Sequence, residues 1–117
     1  MDAVTKLFAG YTIGDESYRQ VDPFCSPYGK RVLLIGGETG MSKGLPVLCE
    51  ALKAADSRLE IVDAAVYGTE CTYERIRELS SLYKDKAIDM VFGMGGGKAM
   101  DTAKGAAYEL GVPVFTF

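Results

Sequence analysis

Residues 88–104 read Ile88-Asp89-Met90-Val91-Phe92-Gly93-Met94-Gly95-Gly96-Gly97-Lys98-Ala99-Met100-Asp101-Thr102-Ala103-Lys104. An apolar run over 88–92, interrupted by Asp89, breaks at the glycines of 93–97. A helical pattern follows, with Met100, Ala103, Ala107 and Leu110 on one side. Gly111 closes that helix as a C-terminal cap, and Val112-Pro113-Val114-Phe115 starts a further strand. Strand, glycine turn and helix in this order form the repeating unit of a parallel sheet.

The same unit recurs upstream. Arg31-Val32-Leu33-Leu34-Ile35 is a short apolar run that stops at Gly36-Gly37, the pattern of a strand buried on both faces. Leu45, Leu48, Leu52 and Ala55 then recur at helical spacing, with Ser42 as a possible cap. Pro46 belongs in the first turn of that helix or bends it, because it has no N–H. Residues 59–66 read as a second strand. Thr72 can cap a following helix that carries Glu74 in its first turn and Ile76, Leu79 and Tyr83 on one face. The order β-α-β-α-β-α-β predicts an α/β fold, a doubly wound, mostly parallel, Rossmann-like sheet with right-handed crossovers. Residues 7–14 read as an extra strand, with a short helix from Asp15. Residues 22–30, with two prolines, and 67–71 read as loops.

Composition narrows the function. A chain of 117 residues has room for one domain. Its hydrophobic content of 48% is too high for a disordered chain. A net charge of -3 argues against a nucleic-acid partner held by phosphate neutralisation. The chain has no histidine, which removes a Ser-His-Asp triad, a Cys-His pair and a His-ligated metal from what it can build alone. Cys25, Cys49 and Cys71 are widely spaced, the usage of reduced thiols in a cytoplasmic protein. Cys49, among Leu48, Ala51 and Leu52, reads as a small buried apolar residue. The start, Met1 to Lys6, lacks the apolar run of a signal peptide, and no window has the roughly 18–20 apolar residues of a membrane helix.

In such a sheet, ligands bind outside the carboxyl ends of the strands. Two glycine turns lie there, Gly36-Gly37-Glu38-Thr39-Gly40 and Gly93 to Lys98. The second opens onto a helix. Glycines let phosphate oxygens reach the backbone, the first helical N–H groups point outward, and the helix dipole favours an anion. Lys98 adds a positive charge, so a pyrophosphate would suit the turn. A purely structural reversal is the alternative. Two familiar phosphate motifs are absent. The Walker A ending fails because Ala99 follows Gly97-Lys98 and Phe92 holds the starting position. The G-x-G-x-x-G fingerprint fails because its third glycine falls at Lys98, and the cluster follows a later strand than that fingerprint does.

The block Gly95-Gly96-Gly97-Lys98-Ala99-Met100-Asp101-Thr102-Ala103-Lys104 closely resembles the G-G-G-K-x-x-D-x-A-K signature of the iron-containing alcohol dehydrogenase superfamily, in its glycerol dehydrogenase-like branch. Phe8 and Tyr11, the strand ending at Gly36-Gly37, the Cys71-Thr72-Tyr73-Glu74 helix start and the closing Val112-Pro113-Val114-Phe115 strand are in keeping with it. The resemblance implies an NAD or NADP cofactor, a small alcohol or polyol substrate and hydride transfer between them. Residues 1–117 would form the N-terminal dinucleotide-binding domain. Gly37, Gly95, Gly96, Gly97, Lys98 and Asp101 would be its cofactor-binding residues, with Asp101 in the first helical turn near the nicotinamide. Asp101 could instead simply complement the helix dipole, Lys98 could pair with it, and Lys104 could be a solvated charge.

A divalent metal, iron or zinc, is expected only in the intact protein. Its aspartate and histidine ligands would come from a C-terminal helical domain absent from this chain, so no catalytic or metal-binding residue is assigned here. The resemblance also implies an Asp at the end of the first strand, on the adenosine ribose; this chain has Gly37 there, with Glu38 next. Without that carboxylate, NADP is expected to be tolerated. A surface left uncovered by the missing domain would favour a homo-oligomer or self-association. A non-catalytic nucleotide-binding module and a dehydroquinate synthase-like fragment are the alternative functions.

Overall fold

The computed structural model describes residues 21–68 and 71–116. The expected strand over 7–14 and helix from Asp15 lie outside these residues. In chain order the elements are α1 (Val21–Cys25), a 3-10 turn (Ser26–Tyr28), β1 (Arg31–Gly36), α2 (Glu38–Ala54), β2 (Glu60–Val66), α3 (Tyr73–Tyr83), β3 (Met90–Met94), α4 (Gly97–Leu110) and β4 (Val114–Thr116). The four strands form one sheet in the order β2-β1-β3-β4, and every pairing is parallel. The chain steps from β1 outward to β2, then returns past β1 to β3 and continues to β4. The winding therefore reverses between β1 and β3. This is the doubly wound, Rossmann-like α/β arrangement expected from the sequence.

Period-two alternation divides the core between the two faces. Val32, Leu34, Met90, Phe92 and Phe115 pack with Leu48 and Leu52 of α2 and with Val21 and Cys25 of α1. Leu33, Ile35, Val91 and Val114 pack on the other face with Leu79 of α3 and Ala103, Ala106 and Ala107 of α4. Each fully buried large aliphatic side chain contributes about 1.5–3 kcal/mol. The alanines of α4 let that helix lie close to β3. An ideal Cβ on Gly93 would stand 2.8 Å from the Cβ of Ala103. Gly93→Ala is therefore expected to lower stability by about 1–3 kcal/mol through overpacking. It should appear as a lower urea midpoint at unchanged m-value.

Four local expectations change. Within the expected loop 22–30, residues 22–28 are helical, over α1 and the 3-10 turn, and only 29–30 are not. Pro23 lies in a first turn, and Pro27 opens the 3-10 turn, where a missing N–H leaves no intrahelical bond unmade. Helix α2 begins at Glu38, with Gly37 as its N-cap, so Ser42 is not the cap and Pro46 lies inside the helix. The Ser42 hydroxyl instead donates to the Thr39 carbonyl at 2.9 Å. Ala55 is the exposed C-cap of α2. Cys49 is exposed, because it sits one residue beyond buried Leu48 and the helical turn carries it off the core face. Cys25 is the buried thiol, and burial together with the Asp22 charge pushes it up to about 12.

Two end signals hold as read. The Thr72 hydroxyl accepts from the Arg75 N–H at 3.1 Å at the start of α3. Gly111 caps α4 with a φ of 70°, in the left-handed region. Asp89 ties the amino ends of the strands together. Its carboxylate accepts the N–H groups of Arg31 and Lys30 at 3.0 and 2.9 Å, and these bonds hold it below the usual carboxylate range. The opposite, carboxyl end of the sheet is left to the glycine turns.

Candidate functional site

The two glycine turns meet at that carboxyl end. Gly36 at the end of β1 is in register with Met94 at the end of β3. Beyond the ladder, the Gly37 N–H donates to the Met94 carbonyl at 3.2 Å. An ideal Cβ on Gly40 would stand 2.8 Å from the Cα of Gly95, so α2 and the β3–α4 turn touch backbone to backbone. Gly95 has a φ of +129°, a conformation that glycine alone adopts readily. These contacts fix the turn at the point between β1 and β3 where the winding reverses. In open α/β sheets, that crevice is where ligands bind.

The next two glycines face outward. Among the described residues, no atom lies within 4 Å of an ideal Cβ on Gly96 or Gly97, and both glycines are exposed. Gly96 is the N-cap of α4 and, lacking a side chain, makes no side-chain capping bond. Its carbonyl accepts the Met100 N–H at 3.0 Å, the first bond of the helix. The start of a 14-residue helix thus opens into space with its dipole directed outward. Beneath it, Ala99, Thr102 and Ala103 are buried against the sheet, and the Thr102 hydroxyl donates to the Lys98 carbonyl at 2.8 Å. The first turn is held from below and bare above.

Gly37, Gly95, Gly96, Gly97 and Lys98 therefore gather at the carboxyl end of the two central strands. Asp101 does not join the first turn. It is the fifth residue of α4, exposed and one turn further along, because the helix begins at Gly97. Lys104 is exposed on the same helix. The fold adds residues that sequence reasoning missed. The ring of Tyr67 lies 3.5 Å from an ideal Cβ on Gly37, and the Arg75 guanidinium donates to the carbonyls of Tyr67 and Val66 at 2.8 and 2.6 Å. Tyr67 had a positional signal, since a residue directly after a parallel strand lies at the ligand-facing end, whereas Arg75, the third residue of α3, had none. The described residues contain no group of three or more His, Cys, Asp or Glu able to hold a metal ion. None of their helices is long and apolar enough to cross a membrane.

Comparison with known proteins fits this frame. The profile described as iron-containing alcohol dehydrogenase matches residues 9–115. The chain belongs to the iron-containing alcohol dehydrogenase family. Among members of this family's kind, the glycerol dehydrogenase of Escherichia coli O6:H1 is 27% identical over 114 residues, 97% of this chain and 30% of its own length. The glycerol dehydrogenase of Thermotoga maritima is 47% identical over 53 residues, 45% of this chain and 14% of its own. The crystal structure of glycerol dehydrogenase from Schizosaccharomyces pombe superimposes with a TM-score of 0.71 at 18% identity, covering 91% of this chain and 26% of that one. That likeness speaks for the fold. The chain spans about 30% of the length of the first curated relative it matches.

Proposed function

We propose that this chain is the dinucleotide-binding portion of an NAD(P)-dependent alcohol or polyol dehydrogenase acting on a small glycerol-like substrate. The observation that carries the reading is the open start of α4, where Gly96 and Gly97 leave clear space at a helix N-terminus in the sheet's switch-point crevice. A pyrophosphate fits what is there. Its oxygens would take the backbone N–H groups at the turn, the helix dipole would favour its charge, and Lys98 would add a cation at the rim. Gly95 and Gly40, packed backbone to backbone, would keep the turn from shifting as the ligand enters.

A bound nicotinamide dinucleotide would supply the hydride acceptor or donor. The part played by this chain is to bind and orient it. The turn at 95–97 would fix the diphosphate, and the edge formed by Gly37 and Tyr67 would receive the adenosine end. Asp101, on the second turn of α4, would stand beside the diphosphate rather than under it. The family name also implies a metal. The chain has no histidine and its described residues make no ligand cluster, so these residues do not fit one.

Titrating the chain with NADH and NADPH, followed by nicotinamide fluorescence, tests the reading. Saturable binding is expected, and a soaked crystal should place the diphosphate against Gly96 and Gly97. Absence of binding by either dinucleotide, or a diphosphate seated elsewhere, overturns it.

A further inference from the structure

The adenosine end of the crevice carries a second inference, which rests on the dinucleotide reading above. Val66 at the end of β2 is in register with Gly36 at the end of β1, and the Tyr67 N–H donates to the Gly36 carbonyl at 3.0 Å. The segment after β2 thus runs directly alongside Gly37. What lines this edge is unusual in its charge. The strand end has a glycine where a carboxylate would read a ribose, and the neighbouring strand end is gripped by a guanidinium.

Arg75 is held from both of its ends. Its backbone N–H is bonded to the Thr72 cap, and its side chain bonds two consecutive carbonyls, those of Val66 and Tyr67. Its third partner is Glu78, at 3.2 Å. These contacts engage three of the five N–H bonds of a guanidinium. The Arg75 side chain is 32% exposed and Glu78 63% exposed, so this ion pair is solvent-screened and readily exchanged for a stronger anion. A planar guanidinium with its aim fixed in advance suits a phosphate better than a flexible lysine does.

We infer that Arg75 is a specificity-determining residue that favours a dinucleotide carrying a 2′-phosphate on its adenosine ribose. The phosphate would lie between the Gly37–Tyr67 edge and the guanidinium, using the N–H bonds that face away from the two carbonyls. Among the described residues, two carboxylates oppose it, Glu78 in its pair with Arg75 and Glu38, exposed in the first turn of α2.

NADPH and NADH titrated in parallel on the wild type, Arg75→Ala, Arg75→Lys and Glu78→Gln test this. Arg75→Ala is expected to weaken NADPH binding more than tenfold while leaving NADH within threefold, so NADH binding also reports that the variant is folded. Arg75→Lys should fall between, keeping the charge and losing the fork. Glu78→Gln should leave NADPH as tight or tighter. Raising the salt concentration should weaken NADPH more than NADH on the wild type, and that difference should vanish in Arg75→Ala. Equal losses for both dinucleotides would make Arg75 a brace for the end of β2 and overturn the inference, as would no loss for either. A wild type that binds NADH but not NADPH overturns it alone, whereas a wild type that binds neither overturns the dinucleotide reading with it.

Discussion

Gly97→Leu should abolish measurable dinucleotide binding in a protein that melts no earlier than the wild type. The two halves of this expectation come from different physics. An ideal Cβ at Gly97 meets no atom of the described residues within 4 Å, so the larger side chain has room beside them. Leucine is also a better helix former than glycine, by up to about 1 kcal/mol in a helix interior, and Gly97 is the first residue of α4. Stability should stay level or rise. The same empty space is where a diphosphate must sit to reach the backbone N–H groups. A leucine side chain there holds the phosphate oxygens beyond hydrogen-bond distance. Hydrogen bonds to a charged group contribute about 1.5–3 kcal/mol each, and losing two of them is at least a hundredfold in affinity. Calorimetric melting and fluorescence titration of the same sample check both halves. Undiminished binding in a well-folded variant would remove the 95–97 turn from the site.

The sheet is legible in the sequence because strands buried on both faces leave continuous apolar runs, as residues 31–35 and 88–92 do. Helix ends are legible where a side chain or a left-handed residue marks them, as at Thr72 and Gly111. They are not where the cap is a glycine at a strand end. Gly37 carries no such mark, and Pro46, which the sequence puts in a first turn or at a bend, lies well inside α2. The prolines of residues 22–30 mislead in the opposite sense, since proline at a first turn costs a helix little. Cys49 misleads because its apolar neighbours along the chain are not its neighbours on the helix face.

The glycine run at 93–97 is visible in the sequence, but the crevice around it depends on strand order, which no local pattern encodes. Gly40 meets Gly95 only because β1 and β3 are adjacent. Arg75 reaches the edge beside Gly37 only because β2 lies on the other side of β1. The sequence therefore points to the glycine turn and to Gly37, and leaves Tyr67 and Arg75 unread. In the proposed reading, cofactor choice is decided where those two residues meet Gly37.

Gly37→Asp should move the ratio of NADH to NADPH affinity by at least about a hundredfold toward NADH. The site accepts the change sterically. Gly37 has φ −82° and ψ 155°, an extended conformation open to any residue. An ideal Cβ there lies 3.5 Å from the Tyr67 ring, an ordinary contact. Aspartate is also among the preferred N-caps, so the start of α2 is kept or gains a few tenths of a kcal/mol over glycine. The new carboxylate would accept hydrogen bonds from the ribose hydroxyls of NADH, each contributing about 1.5–3 kcal/mol in the charged case. The same carboxylate would face the roughly −1.5 to −2 charge of a 2′-phosphate. At about 5 Å and an effective dielectric near 40, that repulsion is on the order of 2–3 kcal/mol, more than tenfold in affinity. Gain for one cofactor and loss for the other multiply in the ratio, and a purely structural change at Gly37 would weaken both alike. Parallel titrations of wild type and variant measure the ratio directly. A ratio that does not move would place the adenosine ribose away from the end of β1, and the edge shared by Gly37, Tyr67 and Arg75 would then have no part in choosing the cofactor.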